Sequence, residues 1–307
     1  MYLKDLRESK ELLMYRKLNA RKNLNAEEAA HHLNLEKGFE GEKQFEAWLK
    51  LHQGNGIILS DLLLETNQTT YQIDSLYLSP QKIYLFEVKN FEGDYHLDKD
   101  KWLSPVKKEV KNPLLQLSRN ETLFRILLQE HHFQLPIEAI LVFINPRFHL
   151  YQASSSHPII FHSQLDRFAK ALKKNSAAPL KAFHSKLAEK LLALHQEESR
   201  FERLPEYEYD ELEKGVGCRF CGSIYSTFQN SKFHCSNCEF AESHFPAILR
   251  AIEEFQFLFP ERKLTVEQVW EWCHLVKSKK TIRKILNNHF FQTGNGRAIH
   301  YVPREKV

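Results

Sequence analysis

Ile83-Tyr84-Leu85-Phe86-Glu87-Val88-Lys89 is an apolar run that ends in an acid and an amine, and its reading decides the fold. Side chains alternate faces along a strand, so Glu87 and Lys89 share one face while Phe86 and Val88 share the other. Upstream, Tyr71 to Leu78 also has strand character, and Ser79-Pro80-Gln81 between the two is a tight turn. The pair is a hairpin with strands over 71–78 and 82–89. Its first strand carries Asp74 beside Ile73 and close to Leu76. A charge without a partner at such an apolar edge is costly, so Asp74, Glu87 and Lys89 are expected to converge. Two carboxylates suit a hard divalent cation, Mg²⁺ or Mn²⁺, and Lys89 can orient an attacking water or neutralise developing phosphate charge. That is equipment for phosphodiester hydrolysis. A salt bridge between Lys89 and one acid on a half-exposed strand is the alternative that the local residues leave open.

Outward from the hairpin, residues 1–36 are polar, studded with Leu and free of Gly and Pro, and read as a helical lead-in, with Asn25 and Glu28 spaced as a cap. Gly38 to Gly41 and Glu42 run into Phe45, Trp48, Leu49 and His52, whose spacing describes an amphipathic helix. After Gly93 comes a charged stretch, then Asn112-Pro113 opening a helix through Leu114, Leu117, Phe124 and Leu128, then Ile137 to Ile144 as a buried strand closed by Asn145-Pro146. Helix, hairpin, helix, strand is the order of a small mixed α/β domain. Residues 164–195 are helical with a break near Pro179, and 197–213 read as an acidic, aromatic linker. The expected divisions are 1–36, 37–163, 164–214, 215–242 and 243–307. Trp102 reads as a core residue and Lys99 and Lys101 as solvated. The pairs His31-His32 and His131-His132 read as surface residues and are assigned no metal.

Gly41-Glu42, Gln72-Ile73-Asp74, Glu87-Val88-Lys89-Asn90, Gly93 and Asn112-Pro113 with Gln116 occur in one order across about 80 residues. This arrangement resembles the nuclease-related domain family, NERD, a branch of the PD-(D/E)XK nuclease superfamily. The resemblance covers roughly residues 37–146 and implies a mixed sheet flanked by helices. It also implies site roles: Asp74 at the first acidic position, Glu87 and Lys89 as the (D/E)xK pair, Glu42 as the helix acid and Gln116 as the helical Gln near the site.

Cys218-Arg-Phe-Cys221-Gly222 and Cys235-Ser-Asn-Cys238 form a CxxC pair on either side of 13 residues. Two such turns aim four thiolates at one ion and leave no position for water, so Cys218, Cys221, Cys235 and Cys238 are expected to hold a structural Zn²⁺ in a ribbon that unfolds locally without it. The fifth cysteine, Cys273, lies in an apolar helical stretch and reads as a buried small hydrophobe.

The formal charge of +4 is uneven. From Leu275 to Val307 eight Lys and Arg stand against Glu305 alone, a net of +7, so the rest of the chain carries about −3. Within 244–303 the pattern is that of a winged helix-turn-helix: Ile248, Ile252, Phe255 and Phe259 mark a first helix, and a second begins at Leu264-Thr265. A third spans Lys279 to Phe291 with Ser278 as N-cap. Lys279, Lys280, Arg283 and Lys284 are the expected DNA contacts, and two short strands about Gly294-Asn295-Gly296 put Arg297 at the tip of a wing. A helical packing domain with a solvated basic face is the bland alternative.

At 307 residues, 42% hydrophobic and 27% charged, with 10 Gly and 11 Pro, the chain is neither disordered nor fibrous. No apolar run nears the roughly 18 residues of a membrane span, and the N-terminus opens with charges, so a cytoplasmic protein is expected. The fold class expected is α/β, a nuclease-like mixed sheet flanked by helices, with a zinc ribbon and a winged helix. The expected function is a metal-dependent DNA nuclease, with a non-catalytic DNA-binding or regulatory protein on the same scaffold as the alternative. A third reading is an adaptor whose ribbon and tail bind protein.

Overall fold

The structure is a computed structural model that describes residues 2–99, 101–197 and 204–304. In chain order the elements are β1 (Tyr2–Lys4), α1 (Lys10–Asn19), α2 (Ala26–His52), β2 (Ile57–Thr66), β3 (Thr69–Leu78), β4 (Ile83–Lys89), β5 (Gly93–Asp98), β6 (Lys101–Leu103), β7 (Glu109–Val110), α3 (Pro113–Glu130), β8 (Ile137–Phe143), β9 (Phe148–Tyr151), β10 (Ile159–Phe161), α4 (Leu165–Asn175), α5 (Ala182–Leu194), β11 (Thr227–Gln229), β12 (Lys232–His234), β13 (Ala241–Ser243), α6 (His244–Leu258), α7 (Val266–Cys273), α8 (Lys279–His289), β14 (Phe290–Thr293) and β15 (His300–Pro303). They form two compact units: residues 1–9 with 33–202, and residues 10–32 with 203–307.

The first unit is built on a six-stranded mixed sheet in the order β1-β2-β3-β4-β8-β10. The hairpin stands at its centre: β3 pairs antiparallel with β4, and Ser79 N–H donates to Lys82 O across the turn at 3.0 Å. On the other side β4 runs parallel to β8 from Ile83 opposite Ile137 to Lys89 opposite Phe143. Both faces of these strands are covered, which is why β4 is apolar on both sides until its end. Leu76, Leu85 and Phe143 pack with Phe124 and Leu127 of α3 and Leu187 of α5 on one face. Tyr84, Phe86 and Val142 pack with Phe45 and Leu49 of α2 and Leu172 of α4 on the other.

Several elements differ from the sequence expectation. Residues 2–4 are a strand paired parallel with β2, not part of a helix, and the helix capped at Asn25 runs unbroken to His52. The cap itself is as expected: Asn25 N–H donates to Glu28 Oε2 and Glu28 N–H to Asn25 Oδ1, each at 2.9 Å. β2 has no counterpart in the sequence expectation. The charged stretch after Gly93 contributes to a second sheet in the order β7-β6-β5-β9, which buries Trp102 completely. His31 and His32 are half-buried beside the Tyr15 ring, and His31 Nε2 lies 2.6 Å from Glu11 Oε1.

In the second unit a three-stranded antiparallel sheet, β11-β12-β13, precedes the helices α6, α7 and α8 and the β14-β15 hairpin. One core serves all of them: Cys218, Tyr225 and Phe233 are buried together with Ile248, Phe255, Trp272 and Ile282. Arg21, just after α1, is buried in this unit. Its Nε and Nη2 donate to Glu254 at 2.9 Å, its Nη1 and Nη2 to the carbonyls of Glu213 and Gly215, and its guanidinium lies 3.8 Å from the Trp272 ring centre. Cys273 is fully buried, as expected of a small hydrophobe. Helix α8 ends at His289, two residues earlier than expected, because Phe290 and Phe291 enter β14. Ser278 occupies the N-cap position without a side-chain cap hydrogen bond.

Candidate active site and metal centre

Glu87 and Lys89 project from the end of β4 on one face, and Lys89 Nζ donates to Glu87 Oε1 at 2.6 Å. Glu87 is 1% exposed and Lys89 23% exposed, so the acid is sealed and the amine reaches outward. Helix α3 starts at Asn112, whose side chain accepts the Leu114 N–H at 2.9 Å, and this start sets Gln116 and Asn120 one turn apart over the strand end. Lys89 Nζ donates to Gln116 Oε1 at 3.5 Å. Asn120 Nδ2 donates to Gln72 O at 2.8 Å and to Glu87 Oε2 at 3.5 Å.

Asp74 lies where β3 parts from β4. The paired register ends at Ser75 opposite Phe86, and Asp74 Oδ2 accepts the Val88 N–H at 2.7 Å. On its other side the β2-β3 ladder pairs Ser60 with Ser75 and Leu62 with Ile73 but omits Asp61 and Asp74. Asp61 has φ +52, and Leu59 and Leu62 fall in the same core although they are three residues apart. The hairpin therefore switches faces at this pair.

Glu42 arrives from α2. Gly41 permits this approach, since a Cβ there would lie 2.5 Å from Asn90 Cβ and 3.3 Å from Ile144 Cγ2. The carboxylates feel one another. Burial, then Glu87 and Glu42, hold the Asp74 carboxyl well above the ordinary range, with Lys89 and the Val88 N–H acting against them. Burial, then Asp61, push Glu42 up to about 7. For Lys89, burial disfavours the ammonium, but Glu87, Asp74 and Glu42 outweigh it and raise its affinity for the proton.

The structure thus brings Glu42, Asp74, Glu87, Lys89 and Gln116 to one place. Sequence reasoning missed Asp61 and Asn120. Asp61 is an acid inside an apolar run, and it accepts Gln72 Nε2 at 2.9 Å and pairs with Lys4 at 3.5 Å. Asn120 is signalled by its position four residues after Gln116 on the same helix face.

Among the described residues only Cys218, Cys221, Cys235 and Cys238 gather three or more metal donors closely, their sulfurs all lying within 4.8 Å of one another. Cys218 and Cys238 sulfurs are 3.7 Å apart and those of Cys221 and Cys235 3.5 Å, close to the edge of about 3.8 Å of a tetrahedral ZnS₄ centre. The donor set and its geometry fit a structural Zn²⁺. Beside it Tyr225 OH accepts the Arg219 N–H at 3.4 Å and donates to Glu242 at 2.8 Å, and Arg250 of α6 grips Glu242 at 2.7 and 2.8 Å. Burial pushes the Cys273 thiol up to about 12 and keeps it neutral.

On α8, Ile282, Ile285 and Leu286 are buried, while Lys280, Arg283 and Lys284 are exposed. Lys279 is engaged: its ammonium sits 2.6 and 2.7 Å from the Glu267 carboxylate and 4.4 Å from the Trp270 ring centre. The side chain of Arg297 lies outside the described residues.

No helix among the described residues is long and apolar enough to cross a membrane. No curated protein and no solved structure matches the chain. Residues 37–144, which hold Glu42, Asp74, Glu87, Lys89 and Gln116, match the family model of the nuclease-related domain, NERD.

Proposed function

We propose that the chain is a metal-dependent DNA nuclease of the NERD type. The observation that carries this reading is the convergence of Asp74, Glu87, Glu42 and Lys89 at the parted end of β3 and β4, where Glu87 is almost wholly buried yet ionically paired. A fold gains nothing in stability from crowding like charges in this way, whereas a cation or a phosphate relieves the crowding. Asp74 and Glu87 would hold Mg²⁺ or Mn²⁺, which when bound supplies Lewis acidity and a more acidic water. Lys89, kept charged by its acidic neighbours, orients the nucleophilic water and meets negative charge building on the phosphate. Gln116 and Asn120 fix Lys89 and Glu87 from α3, and Glu42 closes the site from α2.

Zn²⁺ in the four-cysteine centre has a structural role in a ribbon over 215–242. Three helices followed by a hairpin support reading 243–307 as a winged-helix DNA-binding part, with Lys280, Arg283 and Lys284 on phosphates. Four cysteines spaced for a metal site and poorly for a disulfide framework suit a reducing compartment, and we place the protein in the cytosol.

One observation favours the second reading, a non-catalytic DNA-binding protein on a nuclease-like scaffold: the acids do not gather as closely as the cysteines. Incubating the protein and Glu87→Ala with linear, circular and single-stranded DNA and with RNA, with and without Mg²⁺ or Mn²⁺, separates the two. Metal-dependent cleavage lost in the variant supports the nuclease; DNA binding with no cleavage in any condition supports the scaffold.

A further inference from the structure

The β14-β15 hairpin buries one side and bares the other. Phe290 and Tyr301 face the core, and Tyr301 OH donates to Asn287 Oδ1 of α8 at 2.9 Å, which ties the hairpin to the helix. On the outer side Phe291 stands directly opposite Val302, and the two are 57% and 37% exposed. A single exposed Phe is ordinary on a protein surface. This one has a cation beside it. The Arg304 guanidinium lies 5.2 Å from the Phe291 ring centre, and its Nη2 donates to Asn287 O at 3.0 Å. Asn287 follows Arg283 and Lys284 by one turn, so Arg304 joins the ring to the exposed basic face of α8.

We propose that Phe291 is a stacking platform for an unpaired base, with Arg304 and the α8 cations holding the adjoining phosphates, so that this part of the chain prefers single-stranded DNA or a junction to an intact duplex. The inference rests on the nucleic-acid-binding reading of the C-terminal part and adds the kind of strand recognised. Three features support it. The local excess of positive charge, +7 from Leu275 onward, selects a polyanion over an apolar protein surface. Every base offers a π-face to an exposed ring, and a cation beside that ring adds to the attraction. The strand pairing and the Tyr301–Asn287 bond hold the backbone that carries the ring in place before any ligand arrives, so little backbone order is lost on binding.

The test uses the full chain, without added Mg²⁺ or Mn²⁺, and compares binding to an oligo-dT strand and to a blunt duplex of equal length. Phe291→Ala should weaken binding to oligo-dT about tenfold and leave duplex binding within about twofold, while Phe291→Trp should keep the affinity and show fluorescence quenched by the single strand. Unchanged thermal unfolding of each variant separates stacking from damage to the fold. Equal loss on both ligands, or none on either, would overturn the platform, as would conversion of a dimer to a monomer by Phe291→Ala with binding intact. If the unaltered chain binds duplex but not oligo-dT, this inference alone falls; if it binds neither, the nucleic-acid reading falls with it.

Discussion

Asp74 Oδ2 accepts the backbone N–H of Val88 at 2.7 Å, so a side chain takes the place of a ladder carbonyl where β3 and β4 separate. One carboxylate oxygen is thereby structural, and the other is left for chemistry. Asp74→Asn retains an acceptor for Val88 and should fold normally while losing cleavage. Asp74→Ala leaves the buried N–H without a partner and should cost a further ~1–3 kcal/mol in stability. Urea unfolding beside a nuclease assay checks both; equal stability of the two variants would contradict the arrangement.

Glu42 gives a pH signature. A carboxyl whose affinity for the proton is raised by folding stabilises the fold while protonated, so its contribution is complete below its ordinary value of 4.5 and fades as pH rises through about 7. Metal-free protein should therefore lose melting temperature between pH 5 and pH 8, roughly the window linkage prescribes. Glu42→Gln should flatten that fall, and Mn²⁺ should restore stability at the alkaline end by offsetting the crowded charge. Calorimetry across pH, with and without the ion, is the measurement.

The ribbon shares its core with the helices, since Cys218, Tyr225 and Phe233 pack with Ile248 and Phe255 and Arg250 clasps Glu242. Local unfolding of an independent bead is thus not the expected result of losing zinc. Chelation should instead lower the stability of the whole second unit and spare the first. Cys273, buried and held neutral, should resist alkylation until that unit opens, whereas the four ribbon cysteines should react as soon as the ion leaves. Mass spectrometry of alkylated peptides over a chelator titration distinguishes the two populations.

Replacing Lys280, Arg283 and Lys284 by Ala should weaken DNA binding on every sequence and flatten the log-salt slope by roughly 1 for each phosphate no longer neutralised. Lys279→Ala should change the slope less, because Glu267 already occupies its ammonium. Fluorescence anisotropy at several salt concentrations reads the difference.

The central hairpin was legible because Ser79-Pro80 punctuates two apolar strands, and charges stood out against that apolar background at Asp74 within the first strand and at Glu87 and Lys89 at the end of the second. Asn112-Pro113 announced α3 for an equally local reason. β2 was not legible: its first half is buried on both sides, and the switch of faces at Asp61 destroys the two-residue period by which a strand is recognised. β1 is three residues long and owes its state to pairing with β2. β5 to β7 are short and mix charged with apolar residues in no clear period, with the fully buried Trp102 as an apolar anchor. At the end of α8 a helical stripe continues on paper through Phe290 and Phe291, and only tertiary pairing with β15 decides that they are strand.

The burial of Arg21 against Glu254 has a consequence for how the protein is made. The two residues are 233 positions apart, and residues 10–32 belong to the same unit as 203–307. During synthesis α1 leaves the ribosome early and must wait, without its core, while the entire nuclease-related unit is translated and free to fold. A fragment that begins at residue 37 would carry the C-terminal unit without this buried guanidinium, and one that stops before residue 203 would leave α1 with an apolar stripe and nothing to cover it.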